Sequence, residues 1–474
     1  MHLIPASWSH FHLLVSVFPS VGLIFALGFY ITSMATNNAA MQRVCLFVFG
    51  GLAVLGIPTV VSGALSTASL AARVAYIPEG SDGPHTFVSY AAVTFLVITG
   101  ITAWLVLYRA WKSGSGPSKN MQHLVLGFSL FTLLVMSMAA WMGWSIAHQE
   151  LKIPFVYGDT SQNWSHIHII LNHFPTVGFV FGLFFFIAGL AMKNTTMERG
   201  ALVVFVACAV LGATTYVSGA SAMWALTSPP LAAPLQAVSQ ARINAHRDFA
   251  LLTLFGLAFT GGLAWIEVWR YRYLNRFSKT SLYTVLVFAA VTLAIMAETG
   301  HRGGMINHPE IVEAADKMTR SADSFWSPQI EILINNIIWF VPWQTVHFFG
   351  YTAVFATVLV VTMRIFGVWK SMPFSAVHRI IPLGVFGVIA NVFTGMLMLM
   401  ADTSRYVNEA AFWPKMFFLP IGAIAVLYFT LSDKLWATKA NESAPMQAKW
   451  VAALVLFSWT IVILGGRLLP YLFV

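Results

Sequence analysis

Residues 163–178 read "NWSHIHIILNHFPTVG", and residues 7–22 read "SWSHFHLLVSVFPSVG". Both carry Trp-Ser-His-x-His followed by Phe-Pro-x-Val-Gly, at a constant offset of 156 residues, and the match runs without a gap from 7–70 onto 163–226. Met41 and Arg43 meet Met197 and Arg199, Leu55-Gly56 meets Leu211-Gly212, and Val61-Ser62-Gly63-Ala64 meets Val217-Ser218-Gly219-Ala220. Apolar composition alone does not keep His, Pro and Arg in register, so the chain contains a duplication.

Working outward, the repeated segment lies in an unusually apolar chain. Of its 474 residues, 58% are hydrophobic and 9% charged, and almost uncharged runs of 18 or more residues recur, which is the pattern of a membrane-spanning protein. Twelve such runs are predicted, near 11–33, 44–70, 86–108, 123–147, 167–192, 200–226, 249–269, 281–300, 344–367, 380–401, 411–432 and 450–472. The duplication extends beyond the gapless stretch with a small drift: His85 corresponds to His246, His148 to His308, and Gly143 to Gly303. Each copy then holds four helices. An even number places the two copies in the same orientation, related by an axis along the membrane normal. The expected architecture is all-α and polytopic, in three four-helix units. They are 1–152, its repeat 153–308, and a dissimilar unit 344–474 after a polar linker 309–343 on which a partner could dock.

A net charge of +9 would suit a nucleic-acid binder, but its distribution does not. With the N-terminus outside, the loops on the cytoplasmic side hold 16 of the 26 Lys+Arg and 4 of the 17 Asp+Glu. That asymmetry predicts both termini outside and no nucleic-acid partner. The opening "MHLIPASWSHFH" has neither a basic leader nor a small-residue cleavage site, so the first span is expected to be retained. No C-x-x-C-H motif, zinc-type cysteine cluster or nucleotide fingerprint occurs, and Cys45 and Cys208 read as core residues.

The fourteen histidines are informative through their placement. His10 and His12 open the first helix, His85 opens the third and His148 closes the fourth. His166, His168, His246 and His308 repeat the set, all at outer helix ends. Imidazoles gathered at one depth from several helices suit a metal or a haem iron. Residues two apart on a helix point about 200° apart, so His10 and His12 do not both face one site from a regular helix. The preferred axial pairs are His12 with His85 and His168 with His246, leaving His10, His148, His166 and His308 for a second site per unit or for haem propionates. Gly22, Gly28, Gly178, Gly182 and the two Ser-Gly-Ala triplets suit either room for a macrocycle or plain close helix packing. His173 corresponds to Val17 and falls outside the shared set. Glu298 and His301 share a helix face, so Glu298 could orient His301, accept a quinol proton, ligate a metal or simply reach water. His123 and His378, beside basic residues, read as surface positions.

Through "HIILNHFPTVG" and "TGHRGGMINH" the second unit resembles a bacterial family of uncharacterised four-helix membrane domains with suspected haem binding. The resemblance implies functional roles for His168, His173, His246 and the His301/His308 region. The first unit looks like a degraded copy, with Trp141 where His301 falls. Through "HFFGYTAVFATVLVVTMRIFG" and "MLMLMADTSRYVNEAAFWPKMFF" the third unit is similar to a second uncharacterised integral-membrane family. There His347, Arg405 and Lys415 would form a haem or anion pocket, with His347 as its possible ligand and Arg405 and Lys415 in supporting or proton-transfer roles.

The expected function is therefore a b-type cytochrome of the bacterial inner membrane. It would hold two or more haems near the outer face and exchange electrons with extracytoplasmic cytochrome c, other redox subunits or quinone within a larger respiratory complex. The alternatives are a copper or iron site in a transporter or oxidase, and a cofactor-free anchor for a periplasmic enzyme.

Overall fold

The computed structural model describes residues 8–71, 82–113, 116–147, 167–227, 240–307 and 326–469. Among these residues every regular element is helical, and twelve helices are long and apolar enough to cross a bilayer. Helices dominate for a physical reason: in hydrocarbon each backbone N–H and C=O must be satisfied internally. The protein is an all-α, multi-pass membrane protein. The spans run α1 (Trp8–Ala35), α2 (Ala39–Ala71), α3 (Asp82–Lys112), α4 (Lys119–Ala147), α5 (His173–Met192), α6 (Thr195–Thr227), α7 (Gln240–Leu274) and α8 (Lys279–Asn307). A short helix α9 (Trp326–Asn335) follows, then α10 (Ile337–Phe366), α11 (Ile381–Ala401), α12 (Phe412–Leu431) and α13 (Met446–Leu468).

Tight packing divides the described chain into two units, one drawn from 1–157 with 177–201, the other from 158–176 with 202–307 and 316–474. In the first, α1 to α4 pack in sequence and α1 closes on α4. The duplicated hairpins are built alike. Asn37 and Lys193 both take φ of 52°. The next residues, Asn38 and Asn194, accept from the N–H of Met41 and Met197 at 3.0 and 3.1 Å, capping α2 and α6.

These equivalent residues also meet each other within the first unit. The Asn38 and Asn194 carboxamides exchange two hydrogen bonds of 3.0 Å, Phe29 stacks on Phe185 with ring centroids 3.8 Å apart, and Phe25 stacks on Phe181. Gly22 admits the Phe181 ring, and Gly178 admits the Phe25 ring. Self-pairing of residues 156 apart marks a local two-fold relation between α1 and α5. Gly22 and Gly178 thus serve helix packing.

In the second unit α7 packs on α8 and α11, α10 on α11 and α13, and α12 on α13. Residues 326–335, read from the sequence as linker, form α9, which is held to α7. The buried Asp248 carboxylate accepts from the N–H groups of Trp326 (3.3 Å) and Ser327 (2.9 Å), and Arg247 pairs with Glu331 at 2.8 Å while donating to the Met400 carbonyl. Cys45 and Cys208 are buried free thiols.

Candidate functional site

Four of the predicted histidines lie on seats of one design. His12 of α1 donates from Nδ1 to the Thr59 carbonyl of α2 at 2.9 Å, with Ser62 Oγ at 3.3 Å. Its copy His168, in the short helical stretch 167–171, donates to the Thr215 carbonyl of α6 at 3.0 Å, with Ser218 Oγ at 3.2 Å. His246 of α7 donates to the Thr299 carbonyl of α8 at 3.0 Å. His85 of α3 lies against Gly143 of α4, with Nδ1 3.4 Å from the Ser89 hydroxyl of its own helix.

A glycine lies four residues beyond the accepting carbonyl in three of them, Gly63, Gly219 and Gly303, and Gly143 takes the same place against His85. A Cβ added at these positions would stand 3.0, 2.8, 3.0 and 2.7 Å from the Cε1 atoms of His12, His168, His246 and His85. In a helix the residue at i+4 sits over the carbonyl of residue i. Its missing side chain exposes that oxygen and lets the ring lie flat against the helix. The Ser-Gly-Ala triplets are thus imidazole seats, with the serine hydroxyls, themselves bonded to Thr59 and Thr215, completing the pocket.

The seats determine the tautomer. A carbonyl oxygen only accepts, so the ring proton sits on Nδ1 and the neutral imidazole presents Nε2 as a bare lone pair. An iron or other metal ligand needs this arrangement, with one nitrogen fixed by an outer partner and the other free to bind. His12 lies within electrostatic reach of His85, and His168 within reach of His246 and of His173. His168, rather than His173, occupies the seat equivalent to that of His12.

Other predicted positions fall differently. Glu298 pairs with Arg302 at 2.8 Å, one turn along α8, and Arg302 also lies over the Phe249 ring, 4.3 Å from its centroid. His301 is half-buried beside them on α8, and Arg405 is exposed on the short helix Thr403–Val407. His123 is exposed. His378 is not a surface residue: it is fully buried, with Nδ1 3.2 Å from the Tyr273 hydroxyl and Nε2 3.1 Å from Thr430 Oγ1. The turn His378–Ile380 directs it inward although basic residues flank it. The side chain of His10, and residues His148, His166 and His308, lie outside the described residues. Among the described residues, no three of His, Cys, Asp or Glu converge as a metal cluster.

Comparison of the chain with protein-family models, curated proteins and solved structures finds no match.

Proposed function

We propose that the protein is a b-type cytochrome of the bacterial inner membrane, with His12 and His85 as axial ligands of one haem and His168 and His246 of another. The observation that carries this reading is the set of four imidazoles, two per sequence repeat, each laid against a glycine of a neighbouring helix, three of them (His12, His168 and His246) with Nδ1–H given to a carbonyl of that helix and Nε2 bare. A bound haem supplies reversible one-electron exchange at its iron. The chain's own part is to hold each ring at a fixed angle on its glycine seat, keep the proton on the far nitrogen and exclude water with the surrounding helices. Two protein ligands suffice for a haem iron, whereas a copper or iron site calls for a larger donor set.

The Lys and Arg distribution supports placing both termini and all four seats on the extracytoplasmic side. Haems there exchange electrons laterally with a cytochrome c, other redox subunits or quinone, so the chain serves as a membrane subunit of a larger respiratory complex. Reduced-minus-oxidised and pyridine haemochrome spectra of the purified protein test the reading. It expects a b-type α-band; a well-folded protein without that band refutes it, and elemental analysis for copper and iron then decides the alternative.

A further inference from the structure

A fifth imidazole sits on a related seat in the last helices. His347 of α10 lies with Nδ1 2.9 Å from Thr394 Oγ1 of α11. That hydroxyl spends its own hydrogen on the Ala390 carbonyl at 2.7 Å, so it accepts from the ring. His347 therefore keeps its proton on Nδ1 and presents a bare Nε2. The next residue is Gly395, where an added Cβ would stand 3.1 Å from the His347 Cε1.

The Asn391 carboxamide of α11 donates to the His347 carbonyl at 2.7 Å and accepts from the Tyr351 N–H at 3.0 Å, tying α11 to α10 at the turn that carries the histidine. The contact lies where α10 and α11 touch, since a Cβ at Gly387 would fall 2.5 Å from the Gly350 carbonyl oxygen.

Among the described residues this seat differs from the other four in having no second imidazole within electrostatic reach. Residues 326–469 contain one other histidine, His378. It lies about 25 Å from Gly395 along the helix, from the rise per residue, and both its ring nitrogens are engaged. The cation within electrostatic reach of His347 is Lys415 of α12. Its stem crosses Gly465 and Gly466 of α13, it is half-buried, and it makes no hydrogen bond or ion pair among the described residues. A protonated ammonium has no lone pair for iron. In a membrane helix, an uncompensated one is costly enough to mark a ligand site.

Resting on the haem reading above, we propose that His347 is the sole protein ligand of a third haem, whose opposite axial position is open to a small diatomic ligand, with Lys415 pairing with a carboxylate of the same haem. Bis-histidine haems leave no position for carbon monoxide, so that gas reports this site selectively. The test uses the full-length protein in detergent, reduced with dithionite, with haem per chain and the carbon monoxide difference spectrum read on each sample. The expected result is three haems, one of them reactive with carbon monoxide. His347→Ala should lose that haem and the whole carbon monoxide signal, while His85→Ala should lose one haem and keep the signal. Lys415→Gln should lower occupancy of the reactive haem without increasing the signal per haem. Two haems and no carbon monoxide signal in the wild-type protein would overturn this proposal and leave the paired sites standing. No haem at all would sink both readings. An undiminished signal in His347→Ala would overturn the assignment of the ligand, and a larger signal per haem in Lys415→Gln would make Lys415 an iron ligand and overturn the open position.

Discussion

For an imidazole in a membrane protein, the position of one proton separates a ligand from a structural hydrogen-bonding group. His378 engages both nitrogens with Tyr273 and Thr430 and has none to offer. His12, His168 and His246 each commit Nδ1 to a carbonyl and hold Nε2 in reserve. The carbonyl is reachable because the residue four positions on is glycine, so the seat is as sensitive to that glycine as to the histidine. Gly219→Leu should push the His168 ring off the Thr215 carbonyl, forfeiting a hydrogen bond of about 1 kcal/mol, and lower haem content by one per chain. Gly28→Ala, where nothing lies within 4 Å of the added Cβ, should leave haem content unchanged. Haem quantification on the two variants checks both. The histidines of these seats were legible from the duplication. The acceptors were not, because the Thr59, Thr215 and Thr299 backbones act through atoms that every residue carries. The Glu298 partner was within reach of spacing alone: Arg302, at i+4, competes for the carboxylate with His301 at i+3 and, as a full cation, is the stronger partner.

At the scale of elements, the duplicated hairpin is the conserved construction. A left-handed residue, a capping asparagine and a following helix recur at 37–39 and 193–195, and each asparagine serves both its own helix and its counterpart. Asn38→Ala removes a cap and strands the Asn194 carboxamide, so a loss of roughly 1–2 kcal/mol is expected, within the range for helix caps. A lowered thermal midpoint in detergent would register it; an unchanged midpoint would mean that the pair carries no stability. Hydropathy located all twelve spans to within several residues, because backbone satisfaction in lipid leaves a long apolar helix as the available form. It did not find α9. That helix is ten residues long, too short to register as a span, and its start depends on the carboxylate of Asp248, 78 residues earlier in the chain.

At the scale of the whole molecule, the account rests on sidedness and on pairing. Sidedness follows from charge: Lys119 lies in a loop assigned to the cytoplasm and Thr227 at an outer helix end, both exposed. Because Cys45 and Cys208 are buried, they should remain silent toward a membrane-impermeant maleimide. In intact cells Thr227→Cys should label and Lys119→Cys should label only after the membrane is opened; the reverse order would invert the topology. Pairing is the central claim, and haem per chain in single and double variants measures it most directly. If His12 and His85 hold one haem, each alanine variant loses one haem and the double variant loses no more than either single one. His12→Ala combined with His168→Ala then loses two. Additive loss in the His12/His85 double variant, or full haem content in both singles, would contradict the account.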